Sequence, residues 1–281
     1  MNNIKYITLL FLIHICVNAQ NKQTNFVIDD DGITVEKVNT TKTYDENYNS
    51  NNLIYIIGKK FTYSYYYQNI VGTKLLIKKG KEMMQPEGYS ISDWDFIDEA
   101  KQDTETIKYL ILKPSSGNPF EKHFIDYNQT AISYEYLMNN GKSFTMEVTG
   151  TIENEYNVWI HPPRSIFFKI LELNPFPYFK KPYEIGTKWN WNLKIGEQWS
   201  DKRWLEWKGG IENIYNYEIT DYKIIPTKLG ELQCYVINSD ATSRIGKTKL
   251  ISYFNAKYGF VKLDYTNIDG TKTIIELEKV E

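Results

Sequence analysis

Aromatic and acidic side chains crowd one short stretch of this sequence. Five of the seven tryptophans, Trp189, Trp191, Trp199, Trp204 and Trp207, fall between positions 189 and 207. On a strand, Trp189 and Trp191 point the same way, because side chains alternate with period two. Two indoles side by side can stack on sugar rings or line an apolar cavity, and these five are the candidate ligand-binding residues. The competing account is that they fill a core, as large aromatics do. The same stretch holds Glu197, Asp201, Arg203, Glu206 and Lys208. Glycoside cleavage needs two carboxylates about 5 to 9 Å apart. Asp201 and Glu206 are the acid/base pair to consider, but their spacing equally fits solvated charge on an exposed edge.

Other chemistries find little support. After the N-terminal segment the chain keeps only His123, His161 and Cys234, with no spacing that matches a zinc site. Asp93-x-Asp95 with Asp98 and Glu99 lacks the glycine and ligand spacing of a calcium loop. Neither a Gly-x-Ser-x-Gly elbow nor a Gly-rich phosphate loop occurs, so no catalytic residue, metal or cofactor is assigned. Cys234 sits among apolar strand neighbours and reads as a buried, inert thiol. His161, beside Pro162, Pro163 and Arg164, reads as an anchor for a chain crossing.

The elements that must position these residues are strands. Leu53–Ile57 and Phe61–Tyr67 are dense in β-branched and aromatic residues, with Gly58-Lys59-Lys60 between them as a hairpin turn. Lys74–Lys78, Ile107–Leu112, Lys122–Tyr127, Ala131–Leu137 and Ser143–Thr149 continue the pattern, with Asn140-Gly141 supplying a tight turn. Ser92–Asp103 reads as a short helix, with Ser92 as cap and acids in its first turn. Five of the nine prolines lie from Pro162 to Pro182, around a one-sided apolar set at helical spacing in Ser165–Leu173. Trp189–Leu193, Ile211–Ile219, Leu232–Ile237, Leu250–Phe254, Phe260–Thr266 and Thr273–Leu277 complete the strands, the last two joined through Asp269-Gly270. The expected fold is all-β, a curved antiparallel sheet or open barrel with one or two short helices. Its β domain, 53–281, divides into halves 53–161 and 182–281 joined by a Pro-rich helical crossover, 162–181.

Compartment follows from the N-terminus. Lys5 precedes an apolar run from Tyr6 to Val17, and Val17-Asn18-Ala19 offers a cleavage site before Gln20. That is the layout of a signal peptide over residues 1–19, too short to span a bilayer, which needs roughly 20 apolar residues. Lipidation at Cys16 is the alternative, but bulky His14 and Ile15 precede it where a lipobox needs small residues. Residues 20–52 form a polar tether rich in Asn, Asp and Thr. The precursor's formal charge is −2. That balance argues against nucleic acid as a partner, and no later apolar run forms a transmembrane segment.

In its last third the chain resembles a broad group of exported bacterial β proteins of unknown function. The resemblance rests on Gly186-Thr187-Lys188-Trp189, on Thr227-Lys228-Leu229-Gly230 leading into Glu231–Tyr235, and on Tyr253-Phe254 with Tyr258-Gly259-Phe260-Val261. A more distant likeness, in expected shape, is to the half-barrels of lipoprotein-localisation carriers, which hold acyl chains in an apolar concavity. Neither group supplies catalytic residues.

The expected function is that of an exported, non-enzymatic envelope protein that binds a lipid-like or other apolar ligand in a concave sheet. The alternatives are a secreted glycan-binding or glycan-hydrolysing protein and a structural envelope assembly factor. The expected location is the periplasm or outer membrane of a Gram-negative cell. Mass spectrometry of protein from the native envelope should find Gln20 as the first residue; a lipidated Cys16 at the N-terminus would overturn this.

Overall fold

The computed structural model describes residues 26–28, 32–37, 52–88, 90–115 and 129–281. The expected signal peptide, Cys16, much of the tether, His123 and the strand expected at 122–127 lie outside these residues. Sixteen strands are formed among the described residues: β1 Phe26–Ile28, β2 Thr34–Glu36, β3 Phe61–Gln68, β4 Lys74–Met84, β5 Ser90–Asp98, β6 Ile107–Pro114, β7 Thr130–Met138 and β8 Ser143–Glu153, then β9 Asn157–Ile160, β10 Tyr178–Lys180, β11 Lys188–Ile195, β12 Ile211–Thr227, β13 Gly230–Ser243, β14 Gly246–Asn255, β15 Gly259–Thr266 and β16 Lys272–Val280. No helix among the described residues is long and apolar enough to cross a membrane.

β1 and β2 pair with each other, and the other strands form one 14-stranded antiparallel sheet. Its order is β10-β9-β8-β7-β6-β3-β16-β15-β14-β13-β12-β11, with β4 and β5 branching from β3. The sheet curls into a nearly closed barrel. Its edges meet through aromatic side chains: Tyr178 of β10 lies 5.7 Å from Trp189 of β11, and Trp159 of β9 lies 5.9 Å from Trp191. We call this gap the seam.

Alternation decides which face is core. In β3, Phe61, Tyr63, Tyr65 and Tyr67 are buried and the residues between them are half-exposed. Buried tyrosines need partners for their hydroxyls. Tyr63 donates to the carbonyl of Phe260 (3.2 Å) and Tyr65 to that of Ile107 (2.9 Å).

A barrel this wide would leave a hollow, and the chain fills it with its own crossover. Residues 166–173 wind as a 3₁₀ helix, Ile166–Leu173, and positions 170–179 are all buried. Inward polar residues of the wall hold the segment by its backbone. Asn213 (3.1 Å) and Thr248 (2.8 Å) both donate to the carbonyl of Leu173, and Tyr217 donates to that of Phe176 (3.1 Å). Asn174 in turn donates to the carbonyls of Lys249 and Thr266 (3.2 and 3.0 Å). Phe168 packs edge-on against Tyr65 at 5.0 Å. A residual void beside Tyr63, Tyr134 and Leu263 measures about 10 Å³, room for one water at most.

Two local expectations are corrected. The segment expected as a helix over Ser92–Asp103 is strand β5 through Asp98, followed by a single 3₁₀ turn, Glu99–Lys101. Pairing with β4, and packing of Phe96 on Tyr67 (4.7 Å, stacked) and Phe167 (4.9 Å), outweigh the acidic first-turn cue. Asp98 does cap the short turn, accepting from the backbone N–H of Ala100 at 2.9 Å. Leu53–Ile57 is not a strand. Three consecutive N–H groups, of Leu53, Ile54 and Tyr55, converge on the carboxylate of Glu153 at 2.8 to 2.9 Å, which an extended strand cannot do because its N–H groups alternate in direction. Tyr55 is thereby held under Gly259, whose φ of +76° and whose missing Cβ both admit it: an added Cβ would lie 2.6 Å from the Tyr55 hydroxyl. In the tether, β1 and β2 dock on the turn after β8, where Asn154 and Asn157 donate to the carbonyl of Thr34 (2.9 and 3.1 Å).

Because Phe168 is fully buried inside the barrel, Phe168→Ala should cost about 3–5 kcal/mol of stability, read by denaturant melts. A loss under about 1 kcal/mol would mean that the segment is not part of the core.

Candidate functional site

The five tryptophans separate into three places. Trp189 and Trp191 face inward from β11 and stack on their cross-strand partners in β12, Tyr217 (5.3 Å, 4°) and Tyr215 (4.9 Å, 27°). Trp204 and Trp207 are buried in the loop 196–210, and Trp204 meets Phe167 at the mouth of the barrel, 6.0 Å away. Trp199 is half-buried and returns to the seam, where it lines a cleft with Trp191. Asp201 and Glu206 are placed differently from each other. The Asp201 carboxylate accepts from the backbone N–H of Arg203 at 2.9 Å within a tight turn, whereas Glu206 is exposed.

The cleft holds about 380 Å³ between the edge of β8 at Val148–Gly150 and β11 at Trp191–Ile195. Trp159, Trp191 and Trp199 wall it, and Phe176 and Glu172 of the inserted segment line it too, with His161 and Arg164. Its position follows from topology. β9 pairs with β8 only over Thr151–Glu153, so the rest of that edge has no strand beside it. The chain leaving β9 covers part of the edge instead: His161 N–H donates to the carbonyl of Gly150 (3.0 Å) and Arg164 Nη2 to that of Val148 (3.2 Å).

Glu172 and His161 form the polar centre. Glu172 Oε1 lies 3.3 Å from His161 Nε2, with side-chain exposures of 5% and 13%. His161 Nδ1 is 2.7 Å from the carbonyl oxygen of Pro162, which can only accept, so Nδ1 carries the proton and Nε2 is bare. Burial, reinforced by Glu147, pushes the Glu172 carboxyl up to about 8 against the pull of Arg164. Burial, with Arg164, pushes the His161 imidazole down to about 3. At neutral pH both are uncharged, with a carboxyl proton facing a bare ring nitrogen. The indole N–H groups of Trp159 and Trp191 are buried without a hydrogen-bond partner among the described residues. Buried polar atoms of this kind call for a partner.

Ser165, the nearest hydroxyl in sequence, donates to Glu147 Oε2 at 2.6 Å and is engaged there. Burial raises the Cys234 thiol to about 11. No group of three or more His, Cys, Asp or Glu among the described residues is placed to hold a metal. The sequence pointed to Trp191 and Trp199 but passed over Trp159 and Glu172. A carboxylate inside the apolar run Ile170-Leu171-Glu172-Leu173 was the available signal.

The two shifts predict a pH profile for stability. Glu172, raised from 4.5, contributes fully below 4.5 and loses its contribution as pH rises towards 8. His161, lowered from 6.5, contributes fully above 6.5 and loses its contribution as pH falls towards 3. The opposing slopes cancel between 4.5 and 6.5, so stability is flat there and declines on either side. Glu172→Gln should abolish the decline between 6.5 and 8 and, with nothing left to offset His161, turn the plateau between 4.5 and 6.5 into a decline towards acid, in urea melts run across pH. A variant with the same alkaline decline would refute the neutral carboxyl.

No family model matches the chain, and no curated protein matches it. Among solved structures it is similar to a Bacteroides fragilis protein with YmcC-like fold, described as exported (TM-score 0.46, 10% identity, 82% of this chain and 98% of that one). It is also similar to a lipoprotein of Parabacteroides distasonis (0.44, 9%, 86% and 100%) and to the hypothetical lipoprotein YmcC of Escherichia coli K12 (0.34, 9%, 85% and 90%).

Proposed function

We propose that this chain is an exported envelope protein that binds a ligand in the seam cleft and does not convert it. The observation that carries this reading is the pair of buried indole N–H groups of Trp159 and Trp191, without a partner among the described residues, in the cleft that also holds Glu172 and His161. A concavity with aromatic walls and converging polar groups is a usual form of a small-molecule site, and this one is about evenly polar and apolar. The ligand on this reading has an apolar body, lipid-like or otherwise, and one uncharged hydrogen-bonding group that meets Glu172 and His161. It sits at the seam, because the chain's own residues 170–179 occupy the interior. The half-buried indole of Trp199 gives a glycan the second claim, as a bound ligand. Hydrolysis by Asp201 and Glu206 has less support, since Asp201 is tied into its turn.

Native mass spectrometry of gently purified protein should reveal a co-purifying small molecule. Trp199→Ala, at a half-buried wall position, and Glu172→Gln should each reduce its retention, by roughly tenfold for the loss of about 1.4 kcal/mol of contact. A wild-type protein that carries nothing and binds neither fatty acid nor oligosaccharide would leave the scaffold role as the better account.

A further inference from the structure

The unsatisfied groups of the seam cleft are donors. Trp159 and Trp191 line it, 4% and 3% exposed, and neither indole N–H has a partner among the described residues. Trp189, Trp204 and Trp207 share that lack but line no part of the cleft. The rings of Trp159 and Trp191 meet edge to face at 5.9 Å, and Phe176 packs on both, at 5.8 and 5.2 Å. Trp159 and Phe176 also flank His161, at 6.0 and 4.7 Å, which puts the indoles beside the Glu172–His161 pair. An indole nitrogen donates and cannot accept, so only an acceptor relieves the cost of burying it. The acceptors nearby are engaged. The carbonyl of Val148 accepts from Arg164 and that of Gly150 from His161. The oxygens of Glu147 accept from Tyr136, Ser165 and the Arg164 backbone.

We propose that the cleft takes an acyl compound, whose carbonyl oxygen accepts from the indole N–H groups of Trp159 and Trp191 while its chain lies along Leu193, Ile195 and Trp199. A carbonyl oxygen has two lone pairs, so one atom can serve both donors. The charges around the cleft are balanced, which favours an uncharged acceptor over an anion. Beyond the effect of burial, Arg164 and Glu147 pull the Glu172 carboxyl in opposite senses. Lys194 stands opposite Glu212 in the β11–β12 register. A head group that only donates would set its own N–H or O–H groups against the indoles and leave all of them unpaired. The carbonyl rests on the seam-cleft reading above and adds to it the group by which the ligand is chosen.

The test uses the full mature chain with nitrogen-15 in its tryptophans, and four probes: methyl octanoate, N-methyloctanamide, octanoate and octylammonium. Methyl octanoate should move the indole proton signals of Trp159 and Trp191 downfield, as new hydrogen bonds do, and leave that of Trp189 in place. N-methyloctanamide should act likewise, and the tighter of the two tells an ester lipid from an acylated amine. Octylammonium, which only donates, should bind roughly tenfold more weakly than the ester. Trp159→Phe and Trp191→Phe delete the N–H and keep a ring, and each should weaken the ester about fivefold. The wild-type signals decide the matter even where a variant fails to fold. Octanoate binding as tightly as the ester would overturn the proposal, because Arg164 and not the indoles would then choose the ligand. So would ester binding that leaves both indole signals unmoved. Either result keeps the cleft as a binding site, whereas no response of the cleft to any of the four probes would overturn the carbonyl and the seam-cleft reading together.

Discussion

Everything distinctive in this fold follows from filling a curled sheet with the chain's own crossover. A strongly twisted sheet of this width closes on itself, and a closed sheet of a dozen strands encloses more space than its inward side chains fill. The segment at 165–179 occupies that space. It brings backbone polar groups into an apolar interior, and each must be satisfied there. Asn213, Thr248 and Tyr217 are the wall's answer, inward polar side chains that bond to the carbonyls of Leu173 and Phe176. Asn174 reciprocates by donating to the wall. Ile166, at φ +57°, adopts a left-handed conformation that a β-branched residue rarely takes, and it does so where the chain turns to insert Phe167 and Phe168.

The site is a consequence of that insertion. The chain leaves β9 at Ile160 to enter the barrel and returns as β10 beside β9, so β9 is too short to cover β8 before Thr151. The barrel therefore fails to complete its ladder at the seam and closes it with rings instead. The inserted segment carries Glu172 to the gap, and β9 leads to His161 beside it. Each is buried by the packing of the other's element, and each is held neutral by that burial. Architecture, cleft and protonation state thus share one cause.

Much of the scaffold was legible because its signals are local. Buried–exposed alternation in Phe61–Tyr67 and Trp189–Leu193, and positive-φ glycines at Gly141 and Gly270, are properties of a few adjacent residues. The short helix at Ser165–Leu173 was legible for the same reason, though it winds as 3₁₀. Its location inside the barrel was not. One apolar stripe fits a helix laid on a sheet as well as one enclosed by it, and only the long-range bonds of Leu173, Asn174 and Phe176 tell them apart. Leu53–Ile57 has strand composition, yet Glu153, a hundred positions away, imposes a turn on it. The tryptophans were visible as a cluster in sequence, but topology distributes them, so Trp191 gains Trp159 as a neighbour and parts from Trp204.

Native-state hydrogen exchange on the inserted segment tests this account most directly. The N–H of Phe168 bonds to the carbonyl of Ser165 and that of Asn174 to Leu171. If the crossover is the core of the barrel, both amides exchange only through global unfolding, with the same opening free energy and denaturant dependence as amides of β14. Exchange at the rate of a surface loop, while β14 stays protected, would show that the segment leaves the barrel independently and would contradict the account.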